Sequence, residues 1–458
     1  MSSVAAESGV ATPSKFVRDV EWKHIAVVVG SAGALAVASE FIGNATFSIG
    51  ITKVTLFPFL WALLACVVVS VLMKRTDKSG IAYLRPQVLA SDFVQIGILI
   101  FIAKLGFIVG ANLQKVIEAG PVLLVQEAGN FLGTIVIAMP VALMLGIKRE
   151  AIGATFSVGR EPGVALIAER YGLNSAEGRG VLAEYVTGSV IGAAFMAFFA
   201  SMVAHTGLFT PTALGMAAGI GSGSMTAAAV GAISVQYPAD KDMIAALAAA
   251  SNLLTTVVGT YILVVFSLPV CTWLYERLEP FLGKNRKALV VEHDADMRAA
   301  LGDMHSQAVL PAWAAAAAVL LTAAIALVGN QIASNHTANK VTIADGLPGM
   351  AVLVACIFAG MAIARVGRRL GVPSIIWVSI VGVLVSVPWS PLASTVNPLV
   401  AKIGILPVVT PVLAYAGLSL AKDMPVLKAL GWRIILVSLL ANAGAFLAGA
   451  VIAQMFGG

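Results

Sequence analysis

Long apolar stretches separated by short polar ones run along this chain from residue 25 to residue 456. The stretches fall at 25–43, 54–73, 92–110, 121–147, 151–171, 180–205, 213–236, 242–275, 309–329, 346–364, 372–388, 402–421 and 434–456. Each approaches the ~20 apolar residues that a helix needs to cross hydrocarbon. Period-two alternation of the kind found in membrane barrels is absent. The pattern predicts an all-α polytopic membrane protein with about 11–13 transmembrane segments.

Charge placement orients the segments. Lys74, Arg75, Lys148, Arg149, Arg365, Arg368, Arg369, Lys428 and Arg433 fall on one side of the alternating loops, which marks that side as cytoplasmic. Lys53, Lys115, Arg170, Arg179, Lys241, Lys340 and Lys402 fall on the other. This reading puts the N-terminus in the cytoplasm and treats the first apolar run as an uncleaved span. It divides the chain into a tail (1–24), a first scaffold repeat (25–147), a central transport region (148–275), a cytoplasmic linker (276–307) and a second scaffold repeat (308–456).

The scaffold regions carry a faint internal repeat. Ala128–Leu132 and Ala443–Leu447 match at the same offset that relates Pro58 to Pro373, and Gly106 pairs with Gly417 at an offset about one helical turn shorter. The charge rule runs the two sets in opposite directions, the pattern of inverted-topology repeats.

Composition agrees with the membrane reading. Only 11% of residues are charged and 59% are hydrophobic, against about 25% charged in soluble domains. The net charge of +6 reflects cytoplasmic loops, and no nucleic-acid partner is expected. Three separate cysteines and five scattered histidines give no metal-binding spacing. No nucleotide loop, HExxH or Ser-His-Asp pattern points to an enzyme, and no cofactor is expected.

Candidate chemistry lies in two broken or re-entrant helices of the central region, which either cross the membrane fully or turn back as hairpins, since both arrangements leave residues 149 and 276 on the same side. The first, around Gly159, Arg160, Glu161, Pro162 and Gly163, places Arg160 roughly three turns, about 16 Å, from Arg149 if the helix continues. An intramembrane charge costs at least about 2.5 kcal/mol and normally has a function. Arg160 either pairs with Glu161 or offers its donors to a substrate carboxylate. The second interruption contains Gly219, Gly221, Ser222, Gly223, Ser224 and Thr226. A broken helix exposes amides and a positive dipole end to an anion, here at Gly163–Ala165 and Met225–Ala227. Simple glycine packing is the competing explanation for the second run.

Neighbouring helices add polar stripes. Asn252, Thr255, Thr256 and Thr260 share one helical face, and Gln126, Glu127, Asn130 and Thr134 share another. These groups serve either interhelical hydrogen bonding or ion coupling, with Na+ or H+ as the coupling ion. Glu127 either pairs with Lys104 or couples protons. Glu184 either binds the ion or reaches the interface.

The run Gly159–Gly172, continued by Ser175–Tyr185, resembles a family of bacterial inner-membrane proteins known only as a domain of unknown function. At the level of architecture the chain is similar to glutamate:sodium symporters and 2-hydroxycarboxylate transporters. In those carriers two Gly/Ser-rich broken or re-entrant segments meet at the substrate site. Gly221–Ala229 resembles one such segment and Gly159–Gly163 the other, although Arg160 and Glu161 stand where small residues are usual. The resemblance implies an inner-membrane homodimer with a scaffold and a mobile transport domain.

The expected function is secondary active transport of a small organic anion or amino-acid-like substrate. Substrate-binding candidates are Arg160, Glu161, Gly163, Ser222, Gly223, Ser224, Thr226 and Asn252. Ion-coupling candidates are Glu127, Asn130, Glu184, Thr255 and Thr256. A cation/proton exchanger and a channel-like protein are the alternatives.

Overall fold

A computed structural model describes residues 20–49, 52–77, 82–158, 161–172, 175–257, 259–283, 310–335, 340–366 and 374–457. The chain is an all-α polytopic membrane protein. Its first helices are α1 (Trp22–Ile42), α2 (Pro58–Thr76), α3 (Leu84–Ala111) and α4 (Leu113–Met144). The central region holds α5 (Glu150–Thr155), α6 (Glu161–Arg170), α7 (Ala176–His205), α8 (Pro211–Ala218), α9 (Gly223–Gln236), α10 (Lys241–Val257) and α11 (Leu268–Leu278). Then come α12 (Ala312–Ser334), α13 (Ile343–Val366), α14 (Ser374–Ser386), α15 (Ala393–Ala401), α16 (Ile405–Lys422) and α17 (Gly431–Gly457). Among the described residues nine of these helices are long and apolar enough to cross a membrane. One small antiparallel ladder, Ala45–Ile49 with Thr52–Leu56, joins α1 to α2, an exception to the expected lack of strands.

Local sequence explains the helix boundaries. Pro58 starts α2, where its missing N–H costs nothing, and Lys74 and Arg75 complement its last turn. Ser175 caps α7 by accepting from the Gly178 amide at 2.9 Å, and Thr210 caps α8 ahead of Pro211. Gly431, at φ 73°, separates α16 from α17.

The two interrupted segments do not cross the membrane. Arg149, just before α5, bonds Glu177 at 2.5 Å, and Glu150 accepts from Arg179 at 2.6 Å. The first turns of α5 and α7 therefore lie at one level. The chain enters along α5, turns, returns along α6 and enters again along α7. At the other end of α7, Gln236 Nε2 donates to the Ser201 carbonyl at 2.9 Å and Tyr237 Oη to that of Ala204 at 3.2 Å. The segment α8–α9 is thus a second hairpin, inserted from the opposite face. α10 and its continuation to α11 then return to the first face, where Glu279 meets Lys148 at 2.6 Å. Of the two arrangements open for 151–171 and 213–236, crossing or re-entry, these contacts select re-entry, and they correct the side of Arg170 and Arg179, which lie on the Arg149 face.

The helix after each hairpin contains a π turn, Gly188–Gly192 within α7 and Leu263–Ser267 before α11. Each hairpin touches the π turn of the other unit. A Cβ on Gly192 would sit 2.3 Å from Met225 Cε of the second hairpin, and Ser267 Oγ donates to the Phe156 carbonyl of the first.

Glycine contacts in the flanking helices obey an approximate two-fold relation. Gly106 of α3 abuts the Ser379 carbonyl of α14, and Gly417 of α16 abuts the Leu63 carbonyl of α2. Gly133 of α4 abuts the Gly444 carbonyl of α17, while Gly129 abuts that of Ala448. Gly129 and Gly133 have Gly444 and Ala448 as repeat partners, so α4 and α17 cross antiparallel with exchanged contacts. Close backbone approach of this kind replaces the hydrophobic effect as the packing force between helices in lipid.

Candidate functional site

The tip of the second hairpin is held from one side chain. Asn252 Nδ2 on α10 lies 2.9 Å from the Gly219 carbonyl, 3.2 Å from that of Gly221 and 2.9 Å from Thr226 Oγ1. Gly221 takes φ 84°, a left-handed conformation that a side chain would strain. The turn therefore needs both a glycine and a buried donor for its carbonyls. Thr226 is wholly buried and braces the tip from within.

Ser222, Gly223 and Ser224 are only partly buried, with the two hydroxyls 3.1 Å apart. A narrow cleft of about 20 Å³, room for about one water molecule, lies beside Gly223, lined by Ile102 and Leu105 of α3, Ala249 and Asn252 of α10, and Ile376 and Ser379 of α14. A Cβ on Gly223 would meet Ile102 and Ile375 at 3.8 Å. The first bond of α9 runs from the Thr226 amide to the Ser222 carbonyl. The open amides of this half-helix are accordingly Gly223 to Met225, two residues earlier than the sequence alone located them.

The polar stripe of α4 meets that of α10. Gln126 Nε2 donates to Ser251 Oγ at 2.8 Å, and Thr255 Oγ1 donates to the Glu127 carboxylate. Gln126, Glu127, Asn130 and Thr134 are all buried. Thr134 turns back to its own helix, donating to the Phe131 carbonyl at 2.7 Å. The Asn130 amide has no hydrogen-bond partner among the described residues. The side chain of Thr256 lies outside the described residues. Lys104 does not pair with Glu127; its ammonium donates to the Val400 carbonyl at 2.8 Å.

At the first hairpin, Gly159 and Arg160 lie outside the described residues, as do the side chains of Glu161 and Pro162. Gly163 opens α6 against the preceding turn, where an added Cβ would come within 2.7 Å of Ser157 Oγ. Glu184 is 0% exposed, about two turns inward from the Arg149–Glu177 pair, so it does not reach the interface. Val158 of this hairpin and Ile220 and Met225 of the other belong to one hydrophobic cluster.

Some polar positions escape sequence reasoning. Glu40 of α1 is buried and accepts from Thr410 Oγ1 at 2.6 Å. It ends an apolar run, where one acid hardly changes hydropathy. The paired charges at the foot of the first hairpin were legible only as loop charges.

Residues 37–277, just over half of the chain, match a family described as a protein of unknown function (DUF3100). No curated protein and no solved structure matches the chain. The matched stretch holds both hairpins, both π turns and the stripes of α4 and α10. The chain belongs to the DUF3100 family of proteins of unknown function.

Proposed function

We propose that this protein is a secondary active transporter of small organic anions or amino-acid-like substrates, coupled to Na+ or H+ and working by alternating access. The observation that carries the reading is the opposed pair of hairpins, each packed against the π turn of the other unit. Non-helical backbone at membrane depth is tolerated where protein or a water-filled cavity surrounds it, and carriers use it to bind solutes.

In this reading the substrate binds at the Ser222–Ser224 tip in a state of the transport cycle in which the narrow cleft beside it is wider. The amides of Gly223–Met225 and the two hydroxyls receive its carboxylate, and Asn252 keeps the tip in shape. Arg160, with Glu161 and Gly163, completes the site from the first hairpin. Glu127, Asn130, Thr255, Thr256 and Glu184 serve the coupling ion. The flanking repeats are the scaffold, and the working unit is a homodimer in the bacterial inner membrane with its N-terminus in the cytoplasm. The protein is a carrier and catalyses no covalent step.

The test is uptake of labelled carboxylates into proteoliposomes. Saturable uptake that disappears in Arg160→Ala supports the reading. Normal uptake in that variant removes Arg160 from the site. Cation-driven proton movement with no organic substrate favours an exchanger centred on Glu127, whose buried contact with Thr255 is the observation behind that second reading.

A further inference from the structure

Two buried amide oxygens converge on one glycine. The Cβ that Gly449 of α17 lacks would stand 2.7 Å from Asn130 Oδ1, 3.1 Å from Gln126 Oε1 and 2.9 Å from Ile220 Cδ1. Gln126 and Asn130 are both 0% exposed, and neither of these oxygens has a hydrogen-bond partner among the described residues. An unsatisfied buried carbonyl costs about 1–3 kcal/mol. Two of them aimed at one point, next to a buried carboxylate residue, are costly unless something positive completes them.

We infer that Gln126 Oε1 and Asn130 Oδ1, meeting over Gly449, form a binding site for a sodium ion, with Glu127 supplying the counter-charge. Neutral amide oxygens do not take up a proton near neutral pH, but they are hard donors that coordinate a hard cation. A single adjacent carboxylate matches a monovalent charge. Gln126 Nε2 stands 3.5 Å from Glu127 Oε1 and 2.8 Å from Ser251 Oγ, which turns its oxygen end toward Gly449. Ile220 belongs to the tip of the second hairpin, so an ion here touches the segment that borders the cleft. The site deepens the ion-coupled reading above and rests on it only for its purpose.

Purified full-length protein in detergent provides the test, through its melting temperature in sodium chloride against choline chloride at constant ionic strength. Sodium is expected to raise Tm by about 2–4 °C in a saturable manner, with no rise in choline or potassium. Gly449→Ala fills the point while displacing only side-chain ends, and Gln126→Met removes one oxygen at similar length. Both are expected to abolish the sodium response, and if Gly449→Ala does not fold, Gln126→Met decides alone. No rise in sodium, an equal rise in potassium, or a response kept in Gln126→Met overturns the site. Carboxylate uptake without a sodium-dependent Tm rise discards this site and leaves the transporter. A sodium-dependent rise lost in the variants, without carboxylate uptake, keeps the site and discards the anion.

Discussion

Met225, in the first turn of the second hairpin's returning helix, packs against Gly192, the last residue of the π turn in α7. The contact joins two units that enter from opposite faces. Because the atom nearest Gly192 is the flexible end of Met225, Gly192→Ala is expected to be accommodated. Gly192→Ile overpacks the contact and is expected to cost about 1–3 kcal/mol. Combining it with Met225→Ala restores much of the loss, a coupling that a double-mutant cycle of thermal melts measures.

Asn252 donates to two carbonyls of the turn at the hairpin tip, those of Gly219 and Gly221. Asn252→Ala strips the Gly219 and Gly221 carbonyls of that partner and is expected to destabilise the tip by about 2–4 kcal/mol. Gly221→Ala, forced to φ 84°, adds a separate strain of about 1–2 kcal/mol. Hydrogen exchange over residues 219–226 is expected to rise in both variants, with little change in α1 or α12. Uniform change along the chain argues against a local brace.

The hairpin topology has a sidedness test. Cysteines at Arg170 and Ala239, both exposed, sit on opposite faces. Impermeant thiol reagents are expected to label Arg170→Cys from the face of Arg149, and Ala239→Cys from the face of Leu208. The native Cys66, Cys271 and Cys356 are buried and leave a low background. Labelling of Arg170→Cys from the far face implies a complete crossing by α5–α6.

At the foot of the first hairpin the exchanged pairs Arg149–Glu177 and Arg179–Glu150 join α5 to α7. The Arg179 side chain is 24% exposed and that of Glu150 9%, so solvent screens the pair only in part. Arg179→Glu is expected to lower stability by about 1–3 kcal/mol, short of a fully buried pair. Arg179→Glu with Glu150→Arg is expected to recover most of it, read by melting temperature.

Hydropathy and charge located the helices and the faint repeat, because both depend on local composition. Gly106 and Gly417, paired from sequence alone, occupy equivalent crossings. Re-entry of the two interrupted segments is one of two arrangements the sequence leaves open, since parity is the same for both, and only contacts with Glu177 and Arg179 fix the direction of residues 150–170. The role of Asn252 was hidden: two of its partners are backbone carbonyls, which leave no residue pattern. Lys104 misled in the same way, because a backbone carbonyl, that of Val400, accepts from it and no carboxylate does.

The crossing of α4 with α17 has no side chains between Gly133 and Gly444, so the two backbones bear directly on each other. Gln126 and Asn130 ride on one of these helices and Gly449 on the other. Any tilt at that bearing changes the gap between the amide oxygens and the Gly449 backbone. Occupancy of the gap and the angle between the two repeats are therefore linked equilibria: whatever fills the gap selects an angle, and whatever fixes the angle sets the affinity of the gap by the same factor.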